Sequence, residues 1–294
     1  MIHPPPSKAR RWWLACRPKT LGLSVSPVLV GSTLAWAEQG HFQPAPAAAA
    51  LAAAMLIQIG TNLHNDAADF ERGADTAERL GPPRATAQGW FDAAQVKRAA
   101  LLSFGLAWLL GGYLAWVGGW PIVALGLLSL LAGWAYTGGP RPIAYGPFGE
   151  LFVFLFFGLG GVLGSYWLQA QRLSPTAAGA AVALGLMAAA VLLVNNYRDR
   201  VGDAKAGRRT LVHRIGPKGA RRLYGLLLGL PFLLPLSLPG RGPWLVLLAA
   251  PAALWLTLRF RRESRGLEFN LILANTARLQ LAFSLLLSIG VAIS

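Results

Sequence analysis

Cysteine and histidine are scarce in this chain. Its 294 residues include one cysteine, Cys16, and four histidines, His3, His41, His64 and His213. A lone thiol rules out an internal disulfide and a metal site built from several thiolates. The histidines show none of the short spacings that are typical of metal ligands, so we assign them no metal. A metal site in this protein would therefore have to be built from carboxylate and amide oxygens.

Charged side chains are also few. They make up 13% of the chain, whereas 54% of the residues are hydrophobic and the mean hydropathy is +0.46. This chain is too apolar for an ordinary soluble domain of its length, and a helix needs about 20 mostly apolar residues to span a bilayer. Such windows lie near residues 20–37, 47–65, 98–117, 120–137, 148–169, 176–196, 221–238, 243–260 and 271–293. We therefore predict an all-α, polytopic membrane protein of about nine helices, with a cytoplasmic arm at residues 1–16 and one transmembrane domain at 17–294.

Acidic residues are the scarcer charged type, with 12 Asp and Glu against 27 Lys and Arg, for a net charge of +15. The basic residues concentrate on alternate loops, and Arg172 and Arg241 are the ones that fall on the other side. The positive-inside rule then predicts a multi-pass protein of the bacterial inner membrane, with the N-terminus in the cytoplasm and the C-terminus outside. Because the basic excess follows from topology and no nucleic-acid recognition module is visible, we predict a lipid bilayer and no nucleic acid as partner. Arg278, inside the last window, is interpreted as pairing with a neighbour or snorkelling to the interface.

Two acidic clusters each follow an apolar window. They contain Asn65, Asp66, Asp69 and Asp75 in the first cluster and Asp199 and Asp203 in the second. Spacings of three and four residues place each aspartate pair on one face of a helix. Mg²⁺ is usually held by one or two carboxylates together with water and substrate phosphates. The clusters therefore predict a shared cation site for a diphosphate, and in a membrane the fitting substrate is a polyprenyl diphosphate.

A short pattern is repeated after the two clusters. Arg84-Ala-Thr86 follows the first cluster and Arg209-Thr210 follows the second, which hints at an internal duplication. The second copy lies within Gly207-Arg-Arg-Thr210, and guanidinium groups next to carboxylates are typical of a metal and phosphate site. A solvated basic loop is the alternative interpretation. Glu150 opens the fifth window, where its charge either favours the helix N-terminus or faces the same site.

Several segments occur together and in order. They are Arg17-Pro-Lys-Thr-Leu21, Asn62-Leu-x-Asn-Asp66, Gly73-Ala-Asp75, Arg79-x-Gly-Pro82, Tyr136-Thr-Gly-Gly-Pro-x-Pro142, Gly149-Glu150, Asn195-Asn-Tyr-Arg-Asp199 and Gly207-x-Arg-Thr-Leu211. From about residue 12 to the C-terminus the chain resembles the UbiA superfamily of intramembrane aromatic prenyltransferases, and within it the branch that acts on 1,4-dihydroxy-2-naphthoate. The resemblance implies a UbiA-type bundle of nine helices with both clusters facing one cavity. Two positions depart from the pattern, because Gly73 stands where many members have a third acid and Arg208 stands where the branch usually has a lysine.

The resemblance also implies roles for individual residues. The metal ligands would be Asp66, Asp69, Asp199 and Asp203, which hold Mg²⁺ and through it the diphosphate, with Asn65 and Asp75 assisting. The phosphate contacts would be Arg72, Lys205, Arg208 and Arg209. The aromatic residues near the motifs, Tyr136, Tyr197, Tyr145 and Trp134, are candidates to stabilise a cation through their ring faces, with packing as the alternative.

The implied reaction is the transfer of a polyprenyl group from its diphosphate to an aromatic acid. Metal-assisted ionisation gives an allylic cation, which the electron-rich ring attacks at carbon before CO₂ is lost. The products would be demethylmenaquinone in its quinol form, CO₂ and pyrophosphate. Two alternatives stay open: an enzyme of the same superfamily with another acceptor, such as 4-hydroxybenzoate or homogentisate, or with a phytyl donor, and a membrane transporter with a buried polar site. Prenyl chain length, the number of metal ions and the oligomeric state are not predicted.

Overall fold

The structure is a computed structural model, and it describes residues 7–74 and 80–294. Within these ranges all regular structure is helical, which confirms the all-α class. The α-helices are α1 (Lys8–Ala15), α2 (Gly22–Gln39), α3 (Pro44–Glu71), α4 (Ala93–Gly118), α5 (Trp120–Ala135), α6 (Gly149–Val153), α7 (Gly161–Ala170), α8 (Pro175–Lys205), α9 (Leu211–Gly229), α10 (Ala250–Arg262) and α11 (Phe269–Ala292). A π-helical segment, Phe154–Gly160, joins α6 to α7 as one continuous element.

The helices make this a multi-pass membrane protein. In the described part of the chain, six helical segments are long and apolar enough to cross a membrane: Pro44–Glu71, Ala93–Gly118, Gly149–Ala170, Pro175–Lys205, Gly242–Arg262 and Gly266–Ala292. A seventh is the bent pair Lys8–Thr20 and Gly22–Gln39, with 52° between its parts, if the pair counts as one span.

The predicted count of nine spans is not confirmed. Each of the nine apolar windows is helical, but two of them do not form a regular span. Helix α5 has 16 residues, fewer than the roughly 20 that cross a bilayer. Helix α9 ends at Gly229 and continues as the 3₁₀-helix Leu230–Ser237, because Pro231 and Pro235 lack the backbone N–H that α-helical hydrogen bonds require.

Helix α8 is the centre of the bundle. It has 31 residues, and 72% of its most apolar window is buried within the protein. It packs against α2, α6, α7, α9 and α11, whereas α3 packs mainly against α4. Gly158 in the π-helical segment permits a close contact with α8, since a Cβ atom there would stand 2.5 Å from the Cα of Gly185. This packing fixes the position of α8, and with it the position of the polar residues at its C-terminal end.

The polar ends of α3 and α8 lie at the same end of the bundle. Arg208, just after α8, contacts Asp69 near the end of α3. The two acidic clusters therefore meet in the folded protein, as the sequence predicted.

Candidate functional site

A cavity of about 740 Å³ runs between α2, α3, α4, α5, α7, α8 and α11. On α3 its lining extends from Ala50 to Asn65, which is about 22 Å along the helix axis. The α3 lining is apolar up to Ile57 and polar from Gln58 onward, and the α8 lining changes in the same way between Leu192 and Asn195. The cavity therefore has a long apolar part and one charged end, a shape that suits an amphiphile with a polar head.

Gln58 and Asn62 explain the polarity that extends back into α3. The Gln58 side chain donates to the Thr20 carbonyl oxygen at 2.8 Å, and Asn62 donates to the Cys16 carbonyl oxygen at 3.3 Å. These bonds hold the turn that carries Arg17, a cavity-lining residue with left-handed backbone angles (φ 55°, ψ 60°). Such a backbone costs on the order of 1–3 kcal/mol in a residue other than glycine. The two α3 amides thus help to keep a strained basic residue at the charged end.

Asp66, predicted as a metal ligand, lies under the segment 84–86. Its two carboxylate oxygens accept hydrogen bonds from the backbone N–H groups of Ala85, at 2.8 Å, and Thr86, at 3.0 Å, and also from the Thr86 hydroxyl. The side chain is buried and is not part of the cavity lining. In this structure Asp66 fastens the segment 84–86 to α3.

Asp69 is fully buried between two arginines. Its Oδ2 atom lies 2.7 Å from Arg84, and its Oδ1 atom accepts a hydrogen bond from Arg208. Arg84 also donates to Asn65, which lines the cavity beside it. Arg84 was not among the predicted site residues. The short repeat of Arg84-Ala-Thr86 and Arg209-Thr210 was the signal that could have identified it.

The second cluster is held by Arg198, which is 3% exposed. Its guanidinium donates to both oxygens of Asp199, at 2.8 and 2.6 Å, and to the Asn195 and Asn270 side chains at 2.8 Å each. All four residues line the cavity, together with Asp203. Asn270 in turn donates to the Leu80 carbonyl oxygen at 2.8 Å. Arg198 thus connects the second cluster to α11 and to the chain that follows the first cluster.

Arg208 connects the two clusters directly. It pairs with Asp69 of the first cluster, and its Nη1 atom lies 3.6 Å from Oδ1 of Asp203 in the second. Burial alone would lower the pKa of the Arg208 guanidinium, but the Asp69 carboxylate raises that pKa above its ordinary value. Arg208 therefore stays charged at any physiological pH.

Tyr145 lies against two arginines, one that follows α3 and one that follows α8. The Arg208 guanidinium carbon is 4.6 Å from the centre of its ring and that of Arg72 is 5.6 Å away, both within cation–π range. The Tyr145 carbonyl oxygen accepts from the Arg209 N–H at 2.9 Å. Arg72 also donates to the carbonyl oxygens of Thr137 and Gly139. Three connecting segments, after α3, α5 and α8, therefore meet at this ring.

The remaining predicted residues are distributed unevenly. Tyr136 lines the cavity, and burial, followed by the charge of Glu150, raises the pKa of its hydroxyl. Tyr197 packs in the core against Phe260 and Phe269, so its predicted contact with substrate does not agree with its position. The side chains of Lys205 and Arg209 are exposed beyond the cavity lining. Asp75 lies outside the described residues.

The hint of an internal duplication does not extend to equivalent contacts. Thr86 binds the Asp66 carboxylate, whereas the Thr210 hydroxyl lies 3.0 Å from Nδ1 of His213 at the start of α9. Thr86 thus helps to hold the segment 84–86 on α3, whereas Thr210 contacts the first turn of α9.

The cluster residues have the donor chemistry of a Mg²⁺ site, although they are not assembled as one. Across residues 7–74 and 80–294, no three His, Cys, Asp or Glu side chains form a ready-made metal centre. A cation nevertheless joins the clusters already, because the Arg208 guanidinium contacts a carboxylate from each. Asp199 and Asp203 line the cavity, and carboxylate oxygens are the type of ligand that Mg²⁺ prefers. Glu150, which accepts from Asn196 at 2.9 Å, also has a buried oxygen without a hydrogen-bond partner. These residues fit a divalent cation once Arg208 releases Asp69 and Arg198 releases an oxygen of Asp199.

Comparison with known proteins identifies the family. The sequence matches the UbiA prenyltransferase family over residues 24–271. A 1,4-dihydroxy-2-naphthoate octaprenyltransferase of Escherichia coli (strain K12) is 38% identical over 299 residues, which cover 98% of this chain and 97% of that protein. The protein of the same name from Bacillus subtilis (strain 168) is 35% identical over 287 residues, which cover 96% and 92%.

The fold is similar to that of a solved structure, a UbiA homologue from Archaeoglobus fulgidus bound to GPP and Mg²⁺. The TM-score is 0.64 at 15% identity, with 97% of this chain and 100% of that chain covered. The family match and the full-length relatives lead to one conclusion: the chain belongs to the UbiA prenyltransferase family.

Proposed function

We propose that this protein transfers a polyprenyl group from polyprenyl diphosphate to 1,4-dihydroxy-2-naphthoate, with release of CO₂ and diphosphate. The observation that carries the proposal is one cavity with a long apolar channel and a polar end, where Asn65 and Arg84 from the side of the first cluster face Asp199, Asp203 and Arg208. Relatives named for this reaction, 33–38% identical over nearly the full chain, support the choice of acceptor.

The charged end of the cavity suits the diphosphate, and the apolar part suits the prenyl tail. We assign Asp69, Asp199 and Asp203 as ligands of Mg²⁺, which when bound would neutralise the diphosphate and act as a Lewis acid. Asp66 supports them by holding the segment 84–86, which carries Arg84. The guanidinium of Arg208 moves from the carboxylates to the diphosphate when substrate enters, because the diphosphate carries more negative charge and binds a guanidinium through the same pair of hydrogen bonds as a carboxylate does.

Several of the chain's residues then stabilise the leaving diphosphate as the allylic carbon–oxygen bond breaks. Arg208 and Arg84 both pair with Asp69, and Arg17 lines the same end of the cavity. Positive charge fixed where negative charge develops lowers the barrier of such a step. The electrons of the broken bond leave with the diphosphate, and the naphthoate ring supplies the electron pair of the new carbon–carbon bond. Loss of the carboxylate as CO₂ returns an electron pair to the ring.

The apolar wall protects the allylic cation from water. Phe152, Phe156 and Phe157 line the cavity together with Tyr136, and such ring faces can stabilise a cation. The raised pKa of Tyr136 keeps its hydroxyl protonated, so this residue contributes its ring and a hydrogen-bond donor rather than a base.

We further propose that the protein lies in the bacterial inner membrane with its N-terminus in the cytoplasm and its C-terminus outside. The basic residues on alternate loops support this orientation. The charged end of the cavity would then open toward the cytoplasm, where soluble aromatic acids are present.

The test offers purified protein a polyprenyl diphosphate and Mg²⁺ with 1,4-dihydroxy-2-naphthoate and 4-hydroxybenzoate in parallel, and detects products by mass spectrometry. A prenylated, decarboxylated naphthoate is the expected product. Product from the benzoate alone would keep the site and change the acceptor. Absence of product from both acceptors would contradict the proposal and favour the transporter alternative.

A further inference from the structure

An arginine on α11 lies outside the lining of the main cavity. The Arg278 side chain is exposed, about 13 Å along the helix from its start at Phe269. It donates to Oδ1 of Asn275 at 3.0 Å, and within the described chain no ion pair joins it to a carboxylate. A charged side chain that faces hydrocarbon is costly without a partner of opposite charge. The position therefore requires an anion from outside the chain or access to the interface.

A second cavity, of about 390 Å³, lies beside Arg278 between α10 and α11. Leu248, Ala252, Ala282 and Leu286 are among its apolar lining residues, and Asn275 and Arg278 are its hydrogen-bonding side chains other than Trp255. It shares no lining residue with the main cavity. This groove thus combines one cationic position with an apolar surface long enough for part of a hydrocarbon chain.

The direction of the Arg278 side chain places its charge toward the basic end of the bundle. Helical side chains lean toward the N-terminus of their helix, and the bond to Asn275, three residues earlier, follows that direction. At this end, Arg259 lies 5.3 Å from the Trp255 ring centre and bonds Glu268 at 2.8 Å. Arginines reach the membrane interface in this way while their stems stay in hydrocarbon.

We propose that the α10–α11 groove binds an anionic phospholipid, with its phosphate on Arg278 and Asn275 and an acyl chain along Ala252, Ala282 and Leu286. Charge complementarity selects this occupant, because the segments 242–262 and 269–292 contain no Asp or Glu. A second copy of the chain that used the same groove would bring another arginine and no acid among its lining residues. A lipid headgroup supplies the missing negative charge at the depth that the guanidinium reaches.

The test measures thermal unfolding of the purified protein in a neutral detergent, with phosphatidylglycerol or phosphatidylcholine of identical acyl chains. We expect phosphatidylglycerol to raise the midpoint of the wild type by about 5 °C, and phosphatidylcholine to change it much less. Arg278→Leu should weaken the apparent affinity for phosphatidylglycerol about tenfold. The control Arg262→Leu, which removes an exposed charge at the same end of α10, should keep the response.

A second variant covers the case that Arg278→Leu does not fold. Ala282→Trp fills the groove with the arginine in place, and it should remove the phosphatidylglycerol response. Equal responses to both lipids, or a full response in either variant, would overturn the proposal. An Arg278-dependent shift with geranylgeranyl diphosphate would instead assign the groove to an isoprenoid, and a change of oligomeric state on size-exclusion chromatography in Arg278→Leu would assign it to a second copy. Prenyl transfer does not enter this test, so its outcome is independent of the proposed function.

Discussion

Replacement of Asp69 by asparagine should destabilise the protein as well as stop prenyl transfer. The Asp69 side chain is 1% exposed and those of its partners Arg84 and Arg208 are 4% and 12% exposed. Asp69→Asn would leave two buried guanidinium groups without this counter-charge, and breaking a buried pair in this way costs about 3–5 kcal/mol. We expect the lower end of that range, because asparagine keeps one oxygen that accepts a hydrogen bond.

The assay is equilibrium unfolding in mixed micelles of detergent and SDS, followed by the fluorescence of the 11 tryptophans. Asp92→Asn is the matched control, since Asp92 caps α4 from an exposed position and asparagine caps a helix equally well. It should change the unfolding free energy by less than about 0.5 kcal/mol. The double variant Asp69→Asn with Arg84→Gln should recover about 1–2 kcal/mol relative to the sum of the single changes. An inactive Asp69→Asn protein with wild-type stability would refute the charge network and leave Asp69 as a ligand alone.

Three further predictions concern the metal, the Tyr145 ring and helix packing. Asp199→Asn, or removal of Mg²⁺ by a chelator, should reduce transfer at least a hundredfold; chelation should leave the unfolding midpoint unchanged, which a structural metal would not do. Tyr145→Phe should keep the KM for polyprenyl diphosphate within about twofold, whereas Tyr145→Leu should raise it about tenfold through loss of two cation–π contacts; equal values for both variants would contradict this role of the ring. Gly31→Ala should lower the free energy of unfolding by about 2 kcal/mol or more, because its Cβ atom would lie 2.3 Å from the Val162 carbonyl oxygen. Gly105→Ala is the control, because a Cβ atom there would have no neighbour within 4 Å. It should be neutral or stabilising in the same unfolding assay.

The sequence predicted the features that depend on hydropathy and on helical spacing. The apolar windows are helical. The polar ends of α3 and α8 meet, and the two aspartate pairs at helical spacing had suggested this. The number of spans was harder to predict, because hydropathy averaged over a window does not register where prolines convert α-helix into 3₁₀-helix, as in Leu230–Ser237.

The predicted contact between Tyr197 and substrate could have been rejected from helical geometry. Tyr197 is two residues before Asp199, so about 200° of rotation separates the two side chains. If Asp199 faces the cavity, Tyr197 must face away from it, and it packs on Phe260 and Phe269. Spacing alone would therefore have excluded Tyr197 from the substrate contacts.

The partners of the carboxylates could not be derived from spacing. Asp66 binds backbone N–H groups of residues 85 and 86, and Arg84 reaches Asp69 across a connecting segment. Both contacts depend on how residues 80–92 fold back onto α3, which is a tertiary event with no periodic signal. The sequence thus indicates which residues gather at the site, whereas the fold decides which of them face the cavity and which hold it in shape.

The central claim is that the two clusters act together on one diphosphate while the acceptor loses its carboxylate. The most direct measurement supplies the purified protein with geranylgeranyl diphosphate and 1,4-dihydroxy-2-naphthoate labelled with ¹³C in the carboxyl group. We expect labelled CO₂ and prenylated product to form in equal amounts, only with Mg²⁺, and Asp69→Asn and Asp199→Asn each to abolish both. Formation of either product in the absence of divalent metal, or full activity in one of the two variants, would contradict the claim.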